Sequence, residues 1–262
     1  MKNVILSLFL IIFISLNAQQ SPDTLRVMSF NILHGATTKG DFNLEAIAGF
    51  INKYHPDLVA MQEVDFKTNR SKKYNIPLEL GYRTQLLPLY AKAMHYDGGE
   101  YGEALLSKFS LISTENMALP HLPDSEPRAA QIAIFETSNG NKLQFIATHL
   151  DHQRDETDRL MQADALAQRF KNEELPTILA GDLNSQPDSK TMKKLYEVFT
   201  KPADKKALMP TYPSSGARIC IDHILFNQPE KWTELSYEVV CDEYITDHCV
   251  VVTTLVFNPN GD

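Results

Sequence analysis

Apolar residues recur along the chain in two periods, and the two mark different elements. Leu25-Arg26-Val27-Met28-Ser29-Phe30 alternates, which predicts a strand ending at Asn31. After Asn43, a natural N-cap, Leu44, Ile47, Ala48 and Ile51 fall on one helical face, and His55-Pro56 stops that helix. Leu58-Val59-Ala60-Met61 is continuously apolar and predicts a buried strand, with Gln62-Glu63-Val64 at its tip. Residues 65–97 are polar and broken, and read as loop around a short helix near Leu78 to Gly81. Ala104-Leu105-Leu106-Ser107 is the next strand. Ala129 to Glu136 and Lys142 to His149 are strands joined by Ser138-Asn139-Gly140-Asn141, a strong hairpin signal.

Helical spacing returns from Asp155 to about Lys171, with Leu160, Ala163, Ala167 and Phe170 on one face. Pro176 leads into Thr177-Ile178-Leu179-Ala180, a buried strand that closes on Gly181-Asp182-Leu183-Asn184. Pro187 and Ser189 open a further helix, carrying Met192, Leu195, Tyr196 and Phe199. Residues 200–217 read as loop. Ile219 to Phe226 is an apolar strand with Asp222-His223 inside it, and Tyr237 to Val240 is another. Thr246-Asp247-His248 then precedes the last strand, Cys249-Val250-Val251-Val252. Strands alternate with helices early and with hairpins later, a pattern that suits two sheets packed face to face with helices outside.

The chain has 262 residues, 43% of them hydrophobic, with no repeat or low-complexity linker, so one domain over residues 22–258 is expected. Met1-Lys2-Asn3, an apolar stretch from Val4 to Leu16 and Ala18 resemble a cleavable signal peptide over residues 1–18. That predicts export to the periplasm or medium, with no stable membrane anchor after cleavage; the apolar stretch is short for a bilayer span. A net charge of −8 weighs against a broad basic face for nucleic acid, although a bound cation can supply positive charge locally. A monomer is expected. Cys220, Cys241 and Cys249 lie in or beside predicted strands, which favours buried thiols; a Cys220–Cys249 bridge is the alternative.

The polar residues at the ends of these runs carry the candidate chemistry. Asp182 and Asn184 are two apart, and on an extended chain would point to the same side, where acid and amide together can hold water, a hard cation and a phosphate oxygen. Asp-x-Asn is also common in plain turns. Glu63 on an apolar strand must be exposed, paired or on a metal. Asn31 and His149 each have an ordinary structural reading, and Arg128 is either a surface charge or a phosphate ligand. Buried Asp222 needs a partner, and an imidazolium from a neighbouring strand would serve. Asp247 and His248 enter the core side by side. Arg128 aside, these are eight residues at or near strand ends, each attached to an apolar run, and they point to a single rim.

The motifs Met28-Ser29-Phe30-Asn31-Ile32, Met61-Gln62-Glu63-Val64, Ala104-Leu105-Leu106-Ser107, Ala147-Thr148-His149-Leu150, Gly181-Asp182-Leu183-Asn184, Ile221-Asp222-His223-Ile224 and Thr246-Asp247-His248, taken in this order, resemble the endonuclease/exonuclease/phosphatase superfamily. The resemblance implies a four-layer α/β sandwich of two mixed β-sheets and hydrolysis of a phosphate-ester substrate with Mg²⁺ or Mn²⁺. By the same resemblance Glu63 and Asp247 would hold the metal with Asn31 beside it, and Asp182 would orient or deprotonate water. Asn184 would hold water or a phosphate oxygen, Asp222 would buttress His248, and His248 would bind phosphate. His149 places the chain nearer the deoxyribonuclease and sphingomyelinase branches, where it is a second acid–base or phosphate-binding group. Glu103 departs from the Asn of many relatives and is expected to face solvent. Arg70, Lys72, Lys73 and Arg83 form a basic cluster that could meet any phosphate. Phosphodiester hydrolysis is the leading expectation. A phosphomonoesterase, a lipid or sugar-phosphate diesterase, or a non-catalytic module are the alternatives.

Overall fold

Two mixed sheets, each apolar on both faces, set the architecture. In a computed structural model that describes residues 21–201 and 209–261, the elements run β1 (Asp23–Asn31), α1 (Leu44–Tyr54), β2 (Leu58–Phe66), α2 (Ile76–Thr84), β3 (Leu87–Tyr96), β4 (Gly99–Ser107), β5 (Ser110–Leu119), β6 (Arg128–Glu136) and β7 (Lys142–His149). They continue as α3 (Thr157–Phe170), β8 (Thr177–Asp182), α4 (Lys190–Leu195), β9 (Asp222–Phe226), β10 (Trp232–Val240) and β11 (Val250–Phe257). The signal peptide expected at residues 1–18 lies outside the described residues.

The first sheet has six strands in the order β10-β11-β1-β2-β4-β3, and the second has five in the order β5-β6-β7-β8-β9. The pairs β1–β2 and β7–β8 are parallel and the others antiparallel. Alternation decides which side chain goes where. Leu25, Val27 and Ala60 meet Phe145, Ile178 and Ala180 between the sheets. Met28, Phe30, Val59 and Met61 point the other way, onto Ile47 and Ile51 of α1 and Leu80 of α2. Ile146, Leu179 and Leu225 pack on Ala163, Leu166 and Phe170 of α3 and Leu195 of α4. Three apolar layers thus separate helix, sheet, sheet and helix, the four-layer α/β sandwich expected.

Local signals held where they rest on backbone chemistry. The Asn43 side chain accepts from Ala46 N at 3.0 Å, and Ser189 caps α4 by accepting from Met192 N at 3.1 Å. A Cβ on Gly181 would lie 2.0 Å from the Thr148 carbonyl oxygen, so close approach of β7 to β8 demands glycine there.

Several expectations need correction. Residues 65–97 are not mostly loop; they hold α2 and β3, an edge strand whose mixed exposure gives no apolar run. The exposed edge strand β5 carries no apolar signal either. Glu63 is not at a strand tip, because β2 runs on to Phe66 through a register shift between Met61 and Val64. Finally, Cys241 pairs with Cys249, and neither buried thiols throughout nor a Cys220–Cys249 bridge describes the molecule. Val240 and Val250 are cross-strand partners, so the next residue on each arm faces the other, with Cα atoms 4.1 Å apart. Cys220, which stays outside the disulfide, is buried, and burial pushes its thiol up to about 12.

Candidate active site

Strand register assembles the first part of the site. His149 at the end of β7, Asp182 at the end of β8 and Asp222 at the start of β9 are direct cross-strand partners in one row. Two carboxylates directly opposite disfavour double ionisation. Burial and then Asp222 push the Asp182 carboxyl up to about 7, although His248 and the Asn184 amide oppose this. The conflict is relieved from the other sheet. His248, on the segment joining β10 to β11, places Nδ1 3.0 Å from Asp222 Oδ2 and Nε2 3.6 Å from Asp182 Oδ2. Burial alone would lower its pKa, but Asp222, Asp182 and Asp247 outweigh burial and hold the imidazole at about 10. Tyr212 packs on its ring at 4.7 Å between centroids. Asp222 thus pairs with an imidazolium, although one from a connection of the opposite sheet and not from a neighbouring strand. His223, its neighbour on β9, points to the opposite face and meets the Ser185 carbonyl at 2.8 Å.

Asn184 does not extend the strand as Asp182 does. Its φ is +47°, and its backbone N–H turns back to donate to Asp182 Oδ1 at 2.9 Å. The side-chain amide donates to the Leu150 carbonyl at 3.0 Å and lies 3.0 Å from His149 Nε2. Because the carbonyl fixes which way the amide points, Nε2 of His149 is the acceptor and its proton rests on Nδ1. Burial and the nearby Arg128 hold this imidazole well below 6.5, so it is neutral.

Glu63 and Asn31 supply the first sheet's share. Glu63 has φ +57° at the β2 irregularity, a bulge that re-aims its side chain into the cleft. Its side chain is 24% exposed, so neither full burial nor simple surface placement applies. Burial opposes its charge, yet His34, the Asn31 amide and the His248 imidazolium prevail and hold the carboxyl at about 2. His34 Nδ1 stands 3.7 Å from Glu63 Oε2, beyond ordinary hydrogen-bond length. The Asn31 amide donates to Glu63 Oε1 at 3.1 Å and to Asp182 Oδ2 at 3.3 Å, tying the two sheets together. Asp247 contributes a buried Oδ1 with no hydrogen-bond partner, and burial raises its carboxyl.

Glu63, His149, Asp182, Asn184, Asp247 and His248 all line one cleft of about 460 Å³, together with Arg128. Arg128 is 2% exposed; its Nη2 reaches His152 Nδ1 at 3.1 Å and Glu126 Oε1 at 3.2 Å, while Nε and Nη1 have no partner. It is therefore no surface charge. Asn31 and Asp222 stand behind the cleft and orient residues that line it.

The basic cluster expected from the sequence divides. Arg70 lines the cleft, forked onto Asp65 at 2.7 and 2.8 Å and laid over the Tyr96 ring at 4.6 Å. Arg83 instead pairs with Glu79 and Glu45 at the end of α2, Lys73 donates to the Gly98 carbonyl, and Lys72 lies over the Phe42 ring. Glu103 does not face solvent; it is 0% exposed with both oxygens unpartnered, because it shares with Leu105 the face of β4 that packs against the second sheet. Burial pushes its carboxyl well above the usual range, against the pull of Arg128. His34, Tyr96, Tyr101, His152 and Tyr212 have no role in the sequence reading, and only His152, three residues after His149, carried a spacing that could have drawn notice.

The model of the Endonuclease/Exonuclease/phosphatase family matches residues 28–248. Nocturnin from Xenopus laevis is 29% identical over 204 residues, covering 68% of this chain and 52% of that protein, so the chain spans about half the length of this relative. The crystal structure of an endonuclease/exonuclease/phosphatase from Beutenbergia cavernae superposes with a TM-score of 0.77 at 18% identity, over 90% of this chain and 72% of that one. A mannosyl-6-phosphatase from Bacteroides thetaiotaomicron gives a TM-score of 0.71 at 20% identity, over 89% of this chain and all 100% of its own. These two likenesses show a shared fold. With the family match running from β1 to His248, the chain belongs to the Endonuclease/Exonuclease/phosphatase family.

Proposed function

We propose that the protein is an exported, Mg²⁺- or Mn²⁺-dependent phosphoesterase that cleaves phosphodiesters by attack of water. The observation that carries this reading is the position of Asp182, 3.5 Å from His149 Nε2 and 3.6 Å from His248 Nε2, in a cleft that also holds Glu63 and Asp247.

The donor set fits a hard divalent cation. Glu63, Asp247 and Asn31 offer only oxygen ligands, and Asp247 Oδ1 is buried without a partner, an acceptor that a cation would satisfy. Asp182, Asp222 and His248 also cluster, with ligand atoms within 4.8 Å of one another, but Asp222 and His248 already satisfy each other. That trio is better suited to moving protons and holding phosphate. When bound, the cation would neutralise charge on a phosphoryl oxygen.

The remaining work falls to this chain's own groups. Asp182, with a carboxyl near 7, is matched to taking a proton from water at neutral pH. The Asn184 amide, engaged with the Leu150 carbonyl and His149 Nε2, fixes the neutral imidazole beside Asp182, next to where that water would sit. The His248 imidazolium and the unpartnered Nε and Nη1 of Arg128 present positive charge to the phosphate oxygens. Export is supported by the signal-peptide pattern of residues 1–18 and by the Cys241–Cys249 bridge, which suits an oxidising compartment.

The test is a screen of purified mature protein with Mg²⁺ and Mn²⁺ against bis(p-nitrophenyl) phosphate, p-nitrophenyl phosphate, DNA, RNA, sphingomyelin, inositol phosphates and sugar phosphates. Asp182→Ala and His248→Ala should each lower kcat by about 10²–10⁴-fold with the circular dichroism spectrum unchanged. Near-normal turnover in either variant would overturn the assignment. A preference for p-nitrophenyl phosphate or sugar phosphates would move the protein to the monoesterases.

A further inference from the structure

The site is a junction, with Asp182 and Asp222 from the second sheet and Asp247 and His248 from a single connection in the first. That connection leaves β10 after Val240 and enters β11 at Val250, and those two residues are the last cross-strand pair. Cys241 and Cys249 stand one step beyond them and close segment 242–248 at its mouth. Cys249 is buried and directly follows His248, whereas Cys241 is exposed.

The rest of the segment is held by noncovalent contacts: Ile245 packs into the core against α1, His248 pairs with Asp222, and hydrogen bonds fix both the tip and the returning arm. At its tip the Tyr244 hydroxyl donates to Asp41 Oδ2 at 2.9 Å and Thr38 N donates to the Tyr244 carbonyl at 3.0 Å. On the returning arm Thr246 Oγ1 donates to the Asn31 carbonyl at 2.7 Å and Ser214 N to the Asp247 carbonyl at 2.6 Å. The bridge is the covalent tie between the two arms, and it lies next to the residue whose ring must reach two carboxylates of the other sheet.

We propose that the Cys241–Cys249 disulfide is a positioning clamp for the active site, setting the place of Asp247 and His248 so that its reduction weakens metal binding and turnover without unfolding the domain. This rests on the reading of those two residues as site groups. Misplacement of a catalytic group by about 1 Å can cost about a hundredfold in rate, so a loop need only loosen to matter. Reduction by a dithiol breaks the S–S bond; two electrons and two protons pass to the cysteine sulfurs, and the dithiol becomes its cyclic disulfide.

The test compares oxidised protein, protein reduced with dithiothreitol in Mg²⁺ buffer, reoxidised protein and a Cys241→Ser/Cys249→Ser double variant. Thiol titration establishes the redox state and circular dichroism the fold. Hydrolysis of bis(p-nitrophenyl) phosphate and Mn²⁺ binding by electron paramagnetic resonance are the readouts. Reduction and the double variant should lower kcat roughly tenfold or more and weaken Mn²⁺ binding, with both restored on reoxidation. A Cys220→Ala variant, which keeps the bridge, should respond to reduction as the parent does. Unchanged kcat and Mn²⁺ affinity in fully reduced, folded protein would overturn the clamp, as would global unfolding on reduction. If the oxidised protein hydrolyses none of the phosphate esters, the proposed function fails and Mn²⁺ binding alone decides the clamp.

Discussion

Nδ1 of His248 lies 3.0 Å from Oδ2 of Asp222, although one residue sits in the β10–β11 connection of the first sheet and the other on β9 of the second. The pair is buried, and its charge is what keeps the imidazole protonated against the cost of burial. The folded pKa is raised from 6.5 to about 10, so the stability this pair contributes is complete below 6.5 and is lost as pH rises through about 10. In metal-free Asp222→Asn, the His248 titration followed by NMR should fall toward 6.5 or below, and urea denaturation at neutral pH should show a loss of about 3 kcal/mol. A titration midpoint that stays near 10 would remove Asp222 as the cause.

Asp182 should behave in the opposite sense when neutralised. Its carboxyl is raised from 3.8 to about 7, so its favourable contribution is complete below 3.8 and is lost as pH rises through 7, leaving a buried charge beside Asp222. Asp182→Asn should be inactive yet more stable than the parent by roughly 1–3 kcal/mol at about pH 8 in metal-free buffer. Thermal unfolding across pH measures this. A variant less stable than the parent above neutrality would mean that the hydrogen bonds accepted by the carboxylate outweigh the repulsion.

Glu63 is held ionised at a bulge in β2, an arrangement a strand adopts to present a side chain. Glu63→Gln keeps the shape and the acceptor for Asn31 but loses the charge. It should raise the Mg²⁺ concentration for half-maximal activity by roughly tenfold or more, with turnover partly recovered at saturating metal. An unchanged metal titration would take Glu63 out of the ligand set.

Glu103 offers the complementary case, a fully buried carboxyl with no hydrogen-bond partner on either oxygen. Burial raises its pKa well above the usual carboxylate range, so the folded state favours the neutral form and ionisation carries a stability cost as the pH climbs. Glu103→Gln should match the parent within about 1 kcal/mol at neutral pH and decline less steeply in alkali. A loss of more than about 3 kcal/mol at neutral pH would show that the native side chain carries charge.

Much of the site was legible because a polar group on an apolar run is conspicuous. Asn31, His149, Asp182 and Asp222 end or begin strands whose adjoining residues are buried, so only a partner or a task explains them. The neighbourhood of Arg70 was not legible, because its place depends on Asp65 in the same strand as Glu63 and on two tyrosines from the β3–β4 hairpin. Edge strands β3 and β5 escaped for a related reason: with solvent on one side, their apolar positions need not recur. Nor could spacing choose among three cysteines, since pairing follows from hairpin register, which places Cys241 and not Cys220 opposite Cys249.

What the sequence determined by itself was the set of elements with strong periods and the chemical kinds of side chain at their ends, because burial and backbone capping act over a few residues. Tertiary structure decided which of those ends meet. It put His149, Asp182 and Asp222 in one row by strand pairing, brought His248 to them from the opposite sheet, and turned Glu63 inward at a bulge, outcomes that depend on register between strands far apart in the chain.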